Sequence, residues 1–490
     1  MESITRLGPH EHLASHRGSE IDRLPNEILS PIFMLAVGQP QHWHDGSDPS
    51  LTTSPTTLSH ICRRWRQVSL GTGSLWTQIV LTYPTSNEQL TRALTWLSRS
   101  TTYPLDILLD FRDPDWDWEE ETHGFSWCHM EAVLVLLLPT APRWRTLELF
   151  TDTWAPMCAF LLHTGKIGRC LEKLEKLHLA RCNEYFALKG EVFKPAALGK
   201  HLPLFGGAEA VVPRLREVTL TGVHVEWSAG HWQPLSGLVK LELKYQAADV
   251  MPSVAQFRQI LLESPNLEVL AIVGGGPQFP TGNEGSLIAG RGSIKLVRLM
   301  TFTFGFVDAH SAVQLLELFD FPALRELNLE DVSATLQHQP PEDASALLYW
   351  LSNPSYTAST ISIADTDDKD GNDTNFHFPL SFPSTSIASS SSPFIPLGQV
   401  HTLSLHSIHA SRPSLKRLYA ACPSLSSLRL SDVCDEALAL LQESPQSSAI
   451  QNLLPVLVTL VVRGANKELF GRVVSSPARE ATLKETRFDQ

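Results

Sequence analysis

Residues 174–182 read LEKLHLARC, and the spacing of Leu174, Leu177 and Leu179 recurs down the chain. Leu215-Val218-Leu220, Leu238-Leu241-Leu243, Leu267-Leu270-Ile272 and Leu324-Leu327-Leu329 repeat it. So do Val400-Leu403-Leu405, Leu425-Leu428-Leu430 and Leu457-Leu460-Val462. Weaker copies stand at Trp144-Leu147-Leu149 and Leu296-Leu299-Thr301, with Ile361-Ile363 as the core of another. Apolar residues two apart mark a strand with one buried face, because successive side chains point to opposite faces. Copies starting at 215, 238, 267, 296 and 324 are 23, 29, 29 and 28 residues apart. At such a period each unit is one supersecondary element that buries its face against its neighbours.

Between the copies, helical patterns end at a proline just ahead of the next strand. Examples are Val254 to Ser264 before Pro265, Ser311 to Phe321 before Pro322, Ser414 to Cys422 before Pro423, and Glu436 to Ser444 before Pro445. Proline biases the residue before it toward extended geometry and stops the helix. Alternating strand and helix predicts an α/β fold, a stack with one parallel sheet and helices on its outer side. Glu88 to Ser100, Leu105-Ile107-Leu109 and Met130 to Leu138 extend that stack toward the N-terminus. The long interval before Val400 contains ADTDDKDGND and SFPSTSIASSSS, the composition of a disordered insertion over 364–395.

Strand alternation also places the residues between the leucines. With Leu177 and Leu179 turned inward, Lys176, His178 and Ala180 point to the concave sheet surface. The equivalent row gives Lys240, Glu242 and Lys244, then Arg298, then Glu326, Asn328 and Glu330. It continues with Thr402, Ser404 and His406, then Arg429 and Ser431, then Arg463. Singly these read as solvated strand residues; as a row they are the candidate surface for a protein substrate.

A different pattern occupies the N-terminal region. Ile21 to Leu35 reads IDRLPNEILSPIFML, and Thr57 to Leu81 reads TLSHICRRWRQVSLGTGSLWTQIVL. Pro25 suits a first helical position and Glu27 lies near the positive end of the helix dipole. Leu24, Ile28, Leu29, Ile32, Phe33 and Leu35 recur at steps of three and four, as do Leu58, Ile61, Cys62, Trp65 and Val68. Two such helices and a terminal Leu-Trp are too small to enclose a core alone, so the pattern predicts another surface over them. Pro31 predicts a kink or a late helix start, and residues 38–56 read as a surface loop inserted between the helices.

These two stretches resemble an F-box, the module by which adaptors bind Skp1 in cullin-containing ubiquitin ligases. Matching positions are Leu24, Pro25, Glu27, Ile28, Leu29, Ile32, Phe33, Cys62, Arg63, Trp65, Leu75 and Trp76. The resemblance implies that Leu24, Pro25, Ile28, Leu29, Ile32, Phe33, Ile61, Cys62, Trp65, Leu75 and Trp76 contact a Skp1-like protein and, through it, a cullin. The repeats resemble the irregular leucine-rich repeats of many fungal F-box proteins. That family's asparagine ladder is absent, since its position holds Cys182, Val223, Val332, Ile408 and Val433, which leaves a regular horseshoe curvature open. The implied organisation is a tail over 1–20, an F-box-like domain over 21–82, a leucine-rich-repeat solenoid over 83–475 and a second tail over 476–490. The implied function is a non-enzymatic substrate-recognition adaptor without cofactors, or a scaffold acting outside a ligase.

Composition bounds the remaining classes. The net charge of −13 argues against a nucleic-acid partner. Seven scattered cysteines without a CxxC pair, and no signal-peptide pattern, predict a reducing compartment, cytoplasm or nucleus. The longest apolar run, Ala132 to Leu138, is too short to span a bilayer. The run Asp113 to Glu121, DPDWDWEEE, reads as a solvated acidic loop or as a docking site for a basic partner anchored on Trp116 and Trp118. His42-x-His44-Asp45 lies among Gly, Pro and Ser and reads as loop, and Asp365 to Asp373 breaks the calcium-loop pattern. Gly274-Gly275-Gly276 follows a strand but lacks a phosphate-binding Lys and reads as a tight turn.

Overall fold

The computed structural model describes residues 20–37, 54–181, 192–199, 201–228, 230, 233–279, 293–333, 343–352, 395–442, 453–480 and 482–489. The tail over 1–19, residues 38–53 of the inserted loop with His42 and His44, Cys182, Ile361-Ile363 and residues 364–394 of the insertion lie outside them. The chain divides into two compact units, residues 1–79 with 92–106, and residues 80–91 with 107–490.

In the first unit, helices α1 (Asn26–Val37), α2 (Pro55–Ile61) and α3 (Arg63–Gly71) precede a 3-10 turn, Gly73–Trp76. Local chemistry sets their starts. The Ser54 hydroxyl accepts from Thr56 N ahead of Pro55, and Cys62 Sγ accepts from Trp65 N at 3.4 Å, capping α3. Of the kink or late start that Pro31 predicts, the late start does not occur: α1 begins at Asn26 and includes Pro31. Leu29, Phe33 and Val37 from α1 close on Leu58, Val68, Leu75 and Trp76, with Ile21, Leu24, Trp65 and Trp96 packed around them. Trp76 Nε1 donates to Ser69 O at 2.8 Å, and the Arg99 guanidinium lies 4.3 Å from the centre of the Trp76 ring. The helices and the Leu75-Trp76 turn do not close this core unaided: Trp96, from a later helix of the same unit, packs against it.

Most of the chain builds one sheet of thirteen strands. The strands are β1 (Gln78–Thr82), β2 (Leu105–Asp110), β3 (Trp144–Thr151), β4 (Lys176–Arg181), β5 (Glu217–Thr221), β6 (Lys240–Gln246), β7 (Val269–Gly274), β8 (Ile294–Lys295), β9 (Thr301–Phe306), β10 (Phe319–Asp320), β11 (Glu326–Asp331), β12 (Thr402–His406), β13 (Ser427–Ser431), β14 (Thr459–Arg463) and β15 (Glu485–Asp489). They follow one another in chain order except that β8 and β10 leave to pair as a separate two-stranded sheet. From β3 onward each pairing in the large sheet is parallel.

Register explains the repeat. Leu147, Leu177, Val218, Leu241, Leu270, Phe302, Leu327, Leu403, Leu428 and Leu460 lie in one row across ten strands. All ten are 0% exposed. Leu149, Leu179, Leu220, Leu243, Ile272, Phe304, Leu329, Leu405, Leu430 and Val462 form the next row, also buried. One frame is corrected. The β9 copy is Leu299-Phe302-Phe304, three residues later than Leu296-Leu299-Thr301, because Phe302 and Phe304 hold the leucine positions.

Helices cover the leucine face. Val254–Leu262, Ala309–Leu316, Ser345–Ser352, Arg412–Ala421 and Asp435–Ala439 lie between successive strands. Ser253 and Gln256 form a reciprocal capping box, and Asp308 accepts from Ser311 N at 3.0 Å. Near the last strands the buried Arg479 donates to the carbonyls of Leu441, Leu453 and Leu454 at 3.2, 2.6 and 2.9 Å, joining two segments that leave backbone acceptors inside. Burial lowers the pKa of its guanidinium.

Candidate protein-docking surfaces

Helix α1 is apolar nearly all round, which a small helix can sustain only if both sides are covered. Its Leu29-Phe33-Val37 stripe fills the first unit's core. Roughly opposite, at helical steps of three and four, Ile28, Pro31, Ile32 and Leu35 form a second stripe. Ile28 is 48% and Leu35 82% exposed; Pro31 is exposed and Ile32 half-buried. Arg64 anchors α3 beside the start of α1, bonding the Leu24 carbonyl and Asn26 Oδ1, and Ile61, at the α2–α3 corner, is 55% exposed.

The F-box-like positions thus split. Leu29, Phe33, Leu75 and Trp76 are core residues with no surface to offer. Leu24 and Trp65 are half-buried against that core, whereas Pro25, Ile28, Ile61 and Cys62 are exposed. Periodicity found both stripes of α1 without separating them, since apolar character alone does not say which side an outside protein covers. Leu35 and Pro31 are the exposed members that sequence reasoning left out of the contact set.

On the sheet, the face opposite the leucines carries Lys176, His178, Lys240, Glu242, Lys244, Glu326, Asn328, Glu330, His406, Arg429 and Arg463. Arg298 is not among them; it precedes β9, and the row position there is Thr301. Over β3–β6 this face is closed by its own pairing. Lys176 Nζ lies 2.9 Å from Glu148, while Lys240 and Lys244 each lie 3.1 Å from Glu242, which also accepts from the Thr219 hydroxyl at 2.8 Å. Burial by itself would raise the Glu242 pKa; Lys244, Lys240 and Thr219 outweigh it and hold the carboxyl at about 2. Ala271 is 0% exposed although it faces away from the main core.

At the C-terminal ends of β7, β9 and β11 the same face is capped by a small dry cluster, Val273, Val307 and Val332, with Tyr245 laid against it. Tyr245 sits at a register shift in β6 with φ +52°, and its hydroxyl reaches Glu330 at 3.2 Å. Gly305 makes this possible, because a Cβ there would stand 2.6 Å from Val273 Cγ1 and 3.0 Å from Val332 Cγ2. Beyond β11 the face opens: Arg429 and Arg463 are exposed, with Ser404, Val461, Ser431 and Asp489 as their cross-strand neighbours.

The acidic loop is built rather than merely solvated. Asp152 accepts from Asp113 N at 2.6 Å and pairs with the buried His123 at 2.8 Å, and Glu120 turns inward to the buried Arg181 and to Trp154 N. Burial lowers the Arg181 pKa to about 10 even though Glu120 opposes the shift. Trp116 donates to Glu119 O at 2.9 Å, leaving Trp118, 70% exposed, at the tip. The Gly274–Gly276 turn walls a cavity of about 310 Å³ lined by Phe304, Phe306, Ala312 and Leu315. Among the described residues no cluster of His, Cys, Asp or Glu could hold a metal ion, and no helix is long and apolar enough to cross a membrane.

No protein-family model matches the chain, and no curated protein matches it.

Proposed function

We propose that this chain is a two-part adaptor. In this reading the first unit is an F-box that docks a Skp1-like protein, and the large sheet is an irregular leucine-rich-repeat solenoid that holds a protein client for ubiquitin transfer within a cullin ligase. The observation that carries it is the partly exposed Ile28-Pro31-Ile32-Leu35 stripe, within the matching motif on a helix whose other side is packed. An exposed apolar stripe on a folded unit marks a protein contact. The chain does no chemistry of its own here; it raises the effective concentration of the client near a charged conjugating enzyme.

The test is co-purification with a Skp1-like partner. Ile28→Ser with Leu35→Ser removes mainly exposed apolar surface and no residue of the packed cluster, so capture falls at least about tenfold while the unit stays folded, a loss of ~1.4 kcal/mol or more. Undiminished capture defeats the proposal. Recovery of a cullin in the same pull-down supports the ligase reading; adaptor capture without cullin favours a scaffold outside a ligase.

A further inference from the structure

Resting on the adaptor reading, we infer that the face of β13–β15 opposite the leucines docks an acidic, extended segment of the client protein. The outward residues of β13 and β14 are Ser427, Arg429, Ser431, Thr459, Val461 and Arg463, two cations and no anion in a chain with 52 acidic against 39 basic residues. Strand β15 adds Arg487 and, on the same face, Glu485 and Asp489, the latter in register with Arg463, so β13–β15 together present three cations and two anions. Arg429 pairs in register with Val461, and Arg463 stands two residues on; Arg487 also pairs with Val461 from the other side. Diagonal neighbours of this kind are about 7–8 Å apart. Same-side residues of an extended peptide repeat at about 6.8 Å, twice the rise of ~3.4 Å. An acid-x-acid segment therefore meets Arg463 and one flanking arginine at once.

The arginines are available for it. Arg463 is exposed and makes no ion pair or side-chain hydrogen bond among the described residues. Arg429 stands 4.0 Å from Glu326, with its side chain 55% exposed. Arg487 holds Asp489 at 2.9 Å in an exposed pair that solvent weakens. Of the remaining acids, Glu485 faces outward two residues before Arg487 and accepts from the Thr459 hydroxyl at 3.5 Å, and Asp432 lies beside His406. Earlier strands cannot serve in the same way, because their lysines are already bound to Glu148 and Glu242. Guanidinium groups suit carboxylates, which they can grip bidentately.

The probe is a fluorescein-labelled peptide of alternating Glu and Ser, titrated with the full chain at low salt and read by anisotropy. A Lys-Ser peptide is the counter-probe. The Glu-Ser peptide binds and the Lys-Ser peptide does not. Arg429→Ala and Arg463→Ala each weaken binding roughly threefold, and together about tenfold, as expected for exposed charge pairs. Lys240→Ala leaves affinity unchanged. Equal binding of both peptides, or an unaltered affinity in the double variant, overturns the inference. So does a single-stranded oligonucleotide that binds more tightly than the Glu-Ser peptide and displaces it. Ile28→Ser with Leu35→Ser retains peptide binding, so loss of partner capture and loss of this site are read separately.

Discussion

Replacing Glu242 with Gln keeps the shape of the side chain and removes the charge that Lys240 and Lys244 face across about 3 Å. The carboxyl is 13% exposed, so solvent screens the pairs only partly. Its pKa falls from 4.5 to about 2 on folding, which at 1.36 kcal/mol per unit corresponds to about 3 kcal/mol at neutral pH. Because the folded-state value lies below the unfolded one, this stabilisation is present above pH 4.5 and is lost as pH falls toward 2. Urea midpoints followed by tryptophan fluorescence, for wild type and Glu242→Gln, measure it directly. The gap between them is widest at pH 7, narrows to roughly half near pH 3 and closes by about pH 2. A gap that does not change with pH, or no gap at pH 7, refutes the claim that the lysine pair holds the carboxylate ionised.

Two further outcomes follow from the packing. Arg479→Met leaves the Leu441 and Leu453 carbonyls without their donor, while Leu454 O keeps Leu457 N at 3.3 Å. Two orphaned buried acceptors cost about 2–5 kcal/mol, seen as a lowered thermal midpoint, and an unchanged midpoint removes Arg479 from the structural account. Gly305→Ala overpacks Val273 and Val332 and costs about 1–3 kcal/mol in urea unfolding. Adding Val273→Ala returns part of that loss, and strict additivity of the two changes contradicts the close approach.

Much of the sheet was legible because one leucine position per strand is fully buried and period two is strict. The reading slipped at β9, where Phe302 and Phe304 replaced the aliphatic pair and Leu296 offered the same spacing three residues early. Strand β15 was not read at all, since Thr486 occupies the first-row position there. The proline stops located the helices before Pro265 and Pro423, but the pattern read from Ser311 to Phe321 ends at Leu316, because Phe319 and Asp320 pair with β8 as strand β10. The candidate sites were less legible. The Lys240-Glu242-Lys244 pairing is visible locally as alternate residues of one strand, but that of Lys176 with Glu148 depends on a neighbouring strand 28 residues away, and no local pattern carries that information. The two stripes of α1 look alike in sequence, and only the positions of Leu75, Trp76 and Trp96 decide which one is inside. Buried arginines such as Arg181 and Arg479 carry no periodic signature.

Strands β11 and β12 are neighbours in perfect alignment, Glu326 opposite Thr402 and Glu330 opposite His406, although residues 332–401 intervene between them. Chain length at that junction is decoupled from the geometry of the stack. A crossover that carries the buried helix Ser345–Ser352 thus returns the chain to the same rung of the ladder that a short connection would reach.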